Sequence, residues 1–261
     1  MGSFSSFFDN ILKHRYLMYE LVVRDIKLKY RRSVLGLFWS LLQPLFLMIV
    51  LVLIFSNLFG RDIPHFAVYI LAGKLMYDFF ATSTKAAMRS IRNSAALIRK
   101  VSVPKWIFPV SSVLSNFVTF LISLVILAIT MIVSRVPPSI TMLYFALPLI
   151  YIFIFSIGVG LLLSALSVFF RDIEHLYDIV LLIVMYTTAI FYPADIVPER
   201  FQFVLQINPI FQFVTVLRDS IIFGQPLDVR LNAICLAVSV LTLVIGSVFF
   251  HRKKDQFIFH I

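Results

Sequence analysis

The chain has 261 residues, of which 61% are apolar and only 14% are charged, and its formal net charge is +10. This composition excludes an ordinary soluble domain and is typical of an all-α, polytopic membrane protein. The cations flank apolar runs, so membrane topology and anionic lipid explain the positive charge before nucleic acid does. The single cysteine, Cys235, excludes an intrachain disulfide.

A basic, amphipathic helix is predicted at residues 18–32, just before the first apolar run. Its apolar side would face lipid, and its cationic side would face headgroups or a soluble partner. The alternative is ordinary positive-inside flanking of the first span, which needs only two cations. The apolar arc contains Met18, Tyr19, Val22, Val23, Ile26 and Tyr30, and the polar arc contains Glu20, Arg24, Lys27 and Arg31, with Arg32 at its end.

Apolar runs predict six membrane-spanning helices, since about 20 helical residues cross the roughly 30 Å of hydrocarbon in a bilayer. A further apolar run, 201–217, is interrupted in its middle by Asn208-Pro209. This break favours two short re-entrant or interfacial helices over another crossing. The predicted spans cover residues 36–59, 66–87, 107–133, part of 141–170, 179–192 and 231–250.

Lys and Arg residues are distributed unevenly between the two predicted sides of the membrane. Seventeen of the 23 lie on the side that carries both termini, five lie on the other side, and Lys74 lies within a span. The positive-inside rule therefore places both termini in the cytoplasm and requires an even number of spans. The sequence predicts one inner-membrane domain over 1–261, with a head (1–35), a six-span bundle (36–250) and a tail (251–261).

Two charged residues stand inside the second predicted span. Lys74 and Asp78 are four residues apart, so they share one face of a helix at a depth where charge is unfavourable. They predict either a polar lining of a translocation path or a self-neutralising pair packed against another helix.

The sequence has no G-x-x-x-x-G-K-[ST] motif, so it cannot bind nucleotide in the P-loop manner. The C-x-x-C, H-E-x-x-H and G-x-S-x-G patterns are also missing. Asp172, His175 and Asp178 are spaced three apart and could present a metal, although a solvated loop explains them more simply. We therefore expect no catalytic residue, no metal site and no cofactor in this chain.

Four segments carry a resemblance to a known family. They are RDIKLKYRRSVLGLFWSLLQPL (24–45), LIRKVSVPKWIFPVS (97–111), VFFRDI (168–173) and INPIF (207–211) followed by Arg218-Asp219. In order and over essentially the whole chain, they resemble the permease subunits of ABC-type polysaccharide exporters, the O-antigen and teichoic-acid export type. The segment AGKLMYDFF (72–80) departs from the family, so the resemblance assigns no role to Lys74 and Asp78.

The resemblance implies an N-terminal interface helix, six membrane helices and two short helices between the last two spans. It also implies a homodimer that works with two separate ATPase subunits, which would hold the ATP and Mg. The substrate would be a lipid-linked glycan, with membrane lipid as a further partner and no nucleic acid. The alternatives are a permease for another lipid or a drug, and a polyprenyl-phosphate-dependent membrane transferase that uses the 172–178 cluster.

The chemistry of such a substrate suggests roles for particular residues. Cations near the interface would receive the lipid diphosphate, and aromatic rings would stack on sugars, with plain packing as the alternative. The short segment 93–101 would couple the ATPase to the spans, with the 171–178 connection second, and a loop lying on lipid is the alternative. The coupling residues are Arg92, Leu97, Ile98, Arg99, Arg171 and Asp172; the diphosphate residues are Arg24, Lys27, Arg31 and Arg32; the channel lining is Trp39, Phe46, Lys74, Asp78 and Tyr186; and the extracytoplasmic gate is Asn208 and Pro209.

Overall fold

The computed structural model describes residues 14–31, 33–60, 63–100 and 103–259, and these residues form helices joined by short connections. The prediction of an all-α protein is confirmed for this part of the chain. The α-helices are α1 (Arg15–Tyr30), α2 (Trp39–Phe59), α3 (Phe66–Asn93), α4 (Ala95–Lys100), α5 (Ile107–Val133), α6 (Ala146–Phe169), α7 (Ile173–Thr187), α8 (Glu199–Ile207), α9 (Pro209–Arg218) and α10 (Val229–Lys253).

The centre of the bundle is the pair α3 and α6. Helix α5 packs along α3, and α10 packs along α6, while α2 contacts both α3 and α5. Phenylalanine rings fill the α3–α5 contact, where the ring centroids of Phe79 and Phe120 are 4.9 Å apart. On the other side of α3, the rings of Phe80 and Phe155 connect it to α6 at 5.6 Å. The core therefore runs from α5 through α3 and α6 to α10.

Glycine allows α6 and α10 to touch backbone to backbone. A Cβ atom added to Gly246 would overlap the carbonyl oxygen of Gly158, and one added to Gly158 would lie 2.6 Å from backbone atoms of Thr242. Lipid is as apolar as Leu, so small residues at the contact are a principal source of attraction between membrane helices. These two glycines therefore set the distance between α6 and α10.

Four stretches of the described residues are long and apolar enough to cross a membrane: Gly36–Phe59, Ile107–Val133, Ile140–Phe169 and Val229–Phe257. These match four of the six predicted spans. Helix α3 is long enough to cross a membrane but carries charged residues, and α7 has only 15 residues. The finer prediction of six spans stays a prediction.

The predicted fifth span, 179–192, is wrong in its bounds, since α7 begins at Ile173 and ends at Thr187. The backbone leaves the helix at Ala189, which has a φ of 49°. The carbonyl of Ala189 accepts hydrogen bonds from the Tyr69 hydroxyl at 3.3 Å and from Nη1 of Arg218 at 3.2 Å. Because these donors satisfy the backbone there, the helix can end inside the protein.

Arg218, at the end of α9, is the buried charge that holds this region together. Its side chain is 3% exposed, and its guanidinium lies 3.4 Å from the ring centroid of Tyr69. Nη2 donates to the carbonyls of Tyr69 at 3.1 Å and Ile190 at 3.4 Å. A Cβ on Gly73 would lie 2.7 Å from the same nitrogen, so that glycine makes room for the guanidinium. One side chain thus connects α3, α9 and the segment after α7.

Helix α1 lies where the sequence predicted an amphipathic helix, and part of its apolar side faces protein. It packs against α5, and Leu21 and Val22 are buried in that contact. The Ser112 hydroxyl donates to the carboxylate of Asp25 at 3.5 Å across the same contact. Val22 was predicted to face lipid, whereas Tyr19 of the same arc is 63% exposed. A helical wheel cannot tell lipid from an apolar protein surface, and here the protein takes part of the apolar side.

We predict that Gly246→Ala destabilises the folded protein by about 1–3 kcal/mol, the usual range for overpacking a tight contact. The reason is that the added methyl group would overlap the carbonyl oxygen of Gly158. Thermal unfolding of the detergent-solubilised protein measures the effect. The matched control is Val244→Ala on the same helix, where the side chain is 47% exposed. Equal melting temperatures for the two variants would contradict the prediction.

Candidate functional site

An ion-pair cluster, comprising Lys85, Arg89, Arg92, Glu174 and Asp178, joins the end of α3 to the start of α7. Nε of Arg89 donates to Oε2 of Glu174 at 2.9 Å, and the other carboxylate oxygen of Glu174 pairs with Arg92. Nζ of Lys85 lies 2.6 Å from the carboxylate of Asp178. The spacing of four on both helices brings cations and carboxylates into register, and this matched spacing was the signal that sequence reasoning missed.

The predicted coupling segment forms helix α4, directly after the ion-pair cluster. Leu97 and Ile98 are half-buried and pack against an apolar cluster that includes Leu21 and Ile107. The end of α4 has Arg99 on its exposed surface. The two apolar residues therefore hold α4 on the bundle, and its exposed end is basic.

The second predicted coupling residues, Arg171 and Asp172, are exposed in the short connection between α6 and α7. They precede Glu174 by two or three residues, and Glu174 binds Arg92 at the end of α3. The ion-pair cluster therefore brings the two predicted coupling segments together. Helix α4 begins three residues after Arg92, so it follows the cluster directly along the chain.

The 172–178 segment, which could have presented a metal, forms the start of α7 and the residue before it. Within the described ranges, no three His, Cys, Asp or Glu side chains are grouped so that they could hold a metal ion. Glu174 and Asp178 face Arg89 and Lys85 instead. A transferase that depends on this cluster would need its carboxylates free for a metal.

Three of the four predicted diphosphate residues are exposed, two on α1 and one directly after its last residue. Arg24, Lys27 and Arg31 line an open depression of about 530 Å³, together with Glu20. Nη2 of Arg24 also pairs with its neighbour Asp25 at 2.8 Å, which partly offsets its charge. The fourth residue, Arg32, lies outside the described residues.

The predicted aromatic lining residues are exposed within one copy of the chain. Trp39 and Phe46 on α2 are 45% and 55% exposed, and Tyr186 on α7 is 56% exposed. Helix α2 and the segment after α7 meet where the rings of Phe55 and Phe191 stack with centroids 5.8 Å apart. The three rings are therefore available to another molecule and are not needed to fill the core.

Lys74 and Asp78 pair with each other on the one side of α3 that is not buried. Their side chains are 16% and 37% exposed, respectively. The ammonium of Lys74 also lies 5.5 Å from the ring centroid of Tyr77. The Lys74 side chain is thus mostly covered and that of Asp78 is partly open, so both alternatives from the sequence stay predictions.

Asn208 and Pro209, the predicted gate, form the joint between α8 and α9. The side-chain oxygen of Asn208 caps α9 by accepting from the N–H of Ile210 at 3.0 Å, and Pro209 occupies the first turn. The side-chain amide donates to the hydroxyls of Thr187 and Thr188, both at 3.0 Å. Asn208 therefore anchors α9 to the end of α7. The predicted break between two short helices is confirmed.

Comparison with known proteins identifies the family. Residues 16–222 match the family model described as "ABC-2 type transporter". The chain is 29% identical over 247 residues to the "O-antigen export system permease protein RfbA" of Klebsiella pneumoniae, covering 93% of this chain and 95% of that protein. It is 26% identical to the protein of the same name from Myxococcus xanthus, over 95% and 96% of the two chains. It is 21% identical to the "Polysialic acid transport protein KpsM" of Escherichia coli, over 90% and 92%. The chain belongs to the ABC-2 type transporter family.

Proposed function

We propose that this chain is the permease subunit of an ATP-driven exporter, and that it moves a lipid-linked polysaccharide from the cytoplasmic to the outer face of the inner membrane. The observation that carries the proposal is the near full-length match to permeases named for O-antigen export and polysialic acid transport. The sequence has no P-loop, which fits a transport subunit whose nucleotide site lies in a separate ATPase.

Membership of a transporter family favours transport over the transferase alternative. A permease for another lipid or a drug is the second candidate. The exposed aromatic rings of α2 and α7 favour a glycan, because the C–H-rich faces of sugars stack on rings without a fixed hydrogen-bond pattern. A chain that slides past many weak, equivalent sites is not trapped at any one of them.

A hydrophilic glycan cannot cross hydrocarbon unaided, since burying each polar group without a partner costs on the order of 2–7 kcal/mol. The permease must therefore enclose a path. Helix α2 offers a surface for this purpose, because only 11% of its most apolar stretch is buried in a single copy. We propose that two copies pair, so that part of the exposed α2 and α7 surfaces faces a shared path, and the rest faces lipid.

Six spans follow if α3 and α7 also cross the membrane. Helix α7 has 15 residues, or about 22 Å at 1.5 Å per residue, so it crosses most of the hydrocarbon. Helices α8 and α9 would then lie at the extracytoplasmic end, with Asn208 holding the gate segment against α7. In this arrangement both termini, α4 and the ion-pair cluster lie on the cytoplasmic side, where the ATPase subunits would bind.

The cations on α1 suit the diphosphate that joins the glycan to its lipid. Arg24, Lys27 and Arg31 share one open depression next to the start of the first span. Arg and Lys donate charge-assisted hydrogen bonds to phosphate oxygens, which are stronger than neutral ones. We propose that this depression receives the diphosphate before the glycan enters the path.

The topology gives the first prediction of the proposal. A cysteine introduced at Glu199, the exposed first residue of α8, should react with a membrane-impermeant thiol reagent from outside the cell only. The matched control is Arg171→Cys, on an exposed connection of the opposite side, which should react only in inverted vesicles. Labelling of the Glu199→Cys variant from the cytoplasmic face would contradict the six-span topology.

The ion-pair cluster gives the test of the proposed coupling. Glu174→Gln keeps the shape of the side chain but removes its charge from both Arg89 and Arg92. The side chains of Glu174, Arg92 and Arg89 are 20%, 27% and 50% exposed, so water still reaches the cluster and the protein should still fold. We expect the complex to hydrolyse ATP while surface glycan falls several-fold, because the end of α3, which leads into α4, is no longer held to α7.

The control for coupling is Glu199→Gln, the same substitution at an exposed glutamate on α8. Export per ATP hydrolysed, measured for both variants at matched protein level, separates coupling from folding. Leu97 and Ile98 are poorer targets, since they pack against the bundle and their replacement by Asp would also weaken the attachment of α4. Wild-type export by the Glu174→Gln variant would show that energy reaches the spans elsewhere.

The aromatic rings give a third prediction. Replacing Trp39, Phe46 and Tyr186 by Ala, singly and together, should lower export progressively while assembly and ATP hydrolysis persist. Stacking of a base on an aromatic ring is worth about 1–3 kcal/mol, and a sugar on a ring uses the same kind of contact. The control is Tyr144→Ala, at a 41% exposed ring just before α6. Unchanged export in the triple variant would exclude these rings from the path.

A further inference from the structure

Helix α3 has one side that is not buried, and that side is polar along its length. From residue 68 to residue 93, no large apolar side chain of α3 is exposed or half-exposed. Exposed apolar side chains are abundant on α2 and α7, where Leu53 and Ile183 are 70% and 57% exposed. The residues on the open side of α3 are Lys74, Asp78, Ala81, Thr82, Lys85, Ala86, Arg89, Arg92 and Asn93.

We call Lys74, Asp78, Thr82 and Lys85 the polar stripe. Their spacings of four, four and three place them on one side of the helix, and they extend over about 16 Å at 1.5 Å per residue. The Thr82 hydroxyl donates to the backbone carbonyl of Asp78 at 2.6 Å, so its oxygen remains as an acceptor within the stripe. At the C-terminal end of the stripe, Lys85 pairs with Asp178 of the ion-pair cluster.

Helix α7 packs next to the polar stripe and does not cover it. The Tyr77 hydroxyl donates to the carbonyl of Leu181 at 2.9 Å, which fixes α7 to the neighbouring face of α3. Helix α2 packs against α3 as well, and its far end meets the segment after α7 through the stacked rings of Phe55 and Phe191. The stripe is therefore bordered by two helices whose exposed side chains are mainly apolar and aromatic.

A stripe of this kind cannot face lipid. Ionisable side chains at hydrocarbon depth face the bundle interior or a water-filled cavity, since contact with lipid is unfavourable. Lys74 and Asp78 neutralise each other, yet both keep exposed surface and hydrogen-bonding capacity beyond their mutual contact. An ammonium has three donors and a carboxylate has about four acceptor positions, so donors and acceptors alternate along the stripe.

We infer that the polar stripe is a specificity-determining surface of the transport path, which hydrogen-bonds the hydroxyl groups of the sugar chain. This inference rests on the proposed function and extends it. Sugar hydroxyls both donate and accept, so they match an alternating row of ammonium, carboxylate and hydroxyl groups. The Lys74–Asp78 pair has no net charge, which suits an uncharged sugar chain. Aromatic rings of α2 and α7 would contact the C–H faces, and the stripe would contact the hydroxyls.

The first experiment measures whether water reaches the stripe. Single cysteines replace Asp78 or Thr82 in a Cys235→Ala background, and the full transporter is kept in membrane vesicles. The probe is methanethiosulfonate ethyltrimethylammonium, a water-soluble cation that reacts with thiolate. The control is Ile129→Cys on α5, where an apolar side chain is 50% exposed. We expect the stripe cysteines to react much faster than the control, and equal slow rates would overturn the inference.

The second experiment measures contact with the glycan. The same labelling is compared between vesicles from cells that make the lipid-linked glycan and from cells that cannot attach its first sugar. We expect the glycan to slow labelling of the Thr82→Cys variant several-fold and to leave the Ile129→Cys variant unchanged. Identical rates with and without glycan would overturn the inference, even in a water-filled path.

The third experiment separates recognition from folding. The double variant Lys74→Met with Asp78→Leu removes an unfavourable charge pair and keeps side chains of similar size, so the protein should accumulate normally. We expect export to fall and the loss to depend on the glycan supplied. Normal export of every glycan tested would overturn the inference. A different result would contradict the proposed function itself: the wild-type chain would not restore surface glycan to a strain that lacks this chain.

Discussion

The buried guanidinium of Arg218 is the interaction on which one end of this molecule depends. It stacks on Tyr69 of α3 and donates to backbone carbonyls of Tyr69, Ala189 and Ile190. Carbonyls that leave a helix inside a membrane protein need donors, because no water is available there. Arg218 supplies several at once, so α7 can end early and the chain can turn into the short helices. At the opposite end of α9, Asn208 donates to Thr187, the last residue of α7.

At the opposite end of the molecule, ion pairs join α3 to α7. Glu174 accepts from two arginines of α3, and Asp178 accepts from Lys85, so the start of α7 is held to the end of α3. Helix α4 follows α3 directly and rests on the bundle through Leu97 and Ile98. These pairs are partly open to water, which weakens ion pairs. We propose that a force applied to α4 shifts α7 against α3, while the glycine contact between α6 and α10 stays closed. The proposed coupling and the tight glycine contact then involve different helix pairs.

The sequence predicted the long apolar helices well, because hydrophobic length is a local property. The span at 107–133 was predicted with the bounds that the structure has, and the Asn208-Pro209 break was located correctly. The role of Arg218 could not be predicted, since its partners are 28 to 149 residues away along the chain. The orientation of α4 was also hidden, because six residues are too few for a periodic pattern. The sequence identified candidate site residues by their chemical type. The contacts between them became visible only in the folded structure.

The most direct test of the proposed export function is transport by purified components in liposomes. The permease chain and its ATPase subunit are reconstituted together or separately, with the lipid-linked glycan in one leaflet, and the glycan that reaches the other leaflet is measured with an impermeant glycosidase. We expect movement only when both subunits and ATP are present. Movement by the permease chain without ATP, or glycosyl transfer catalysed by the chain itself, would contradict it.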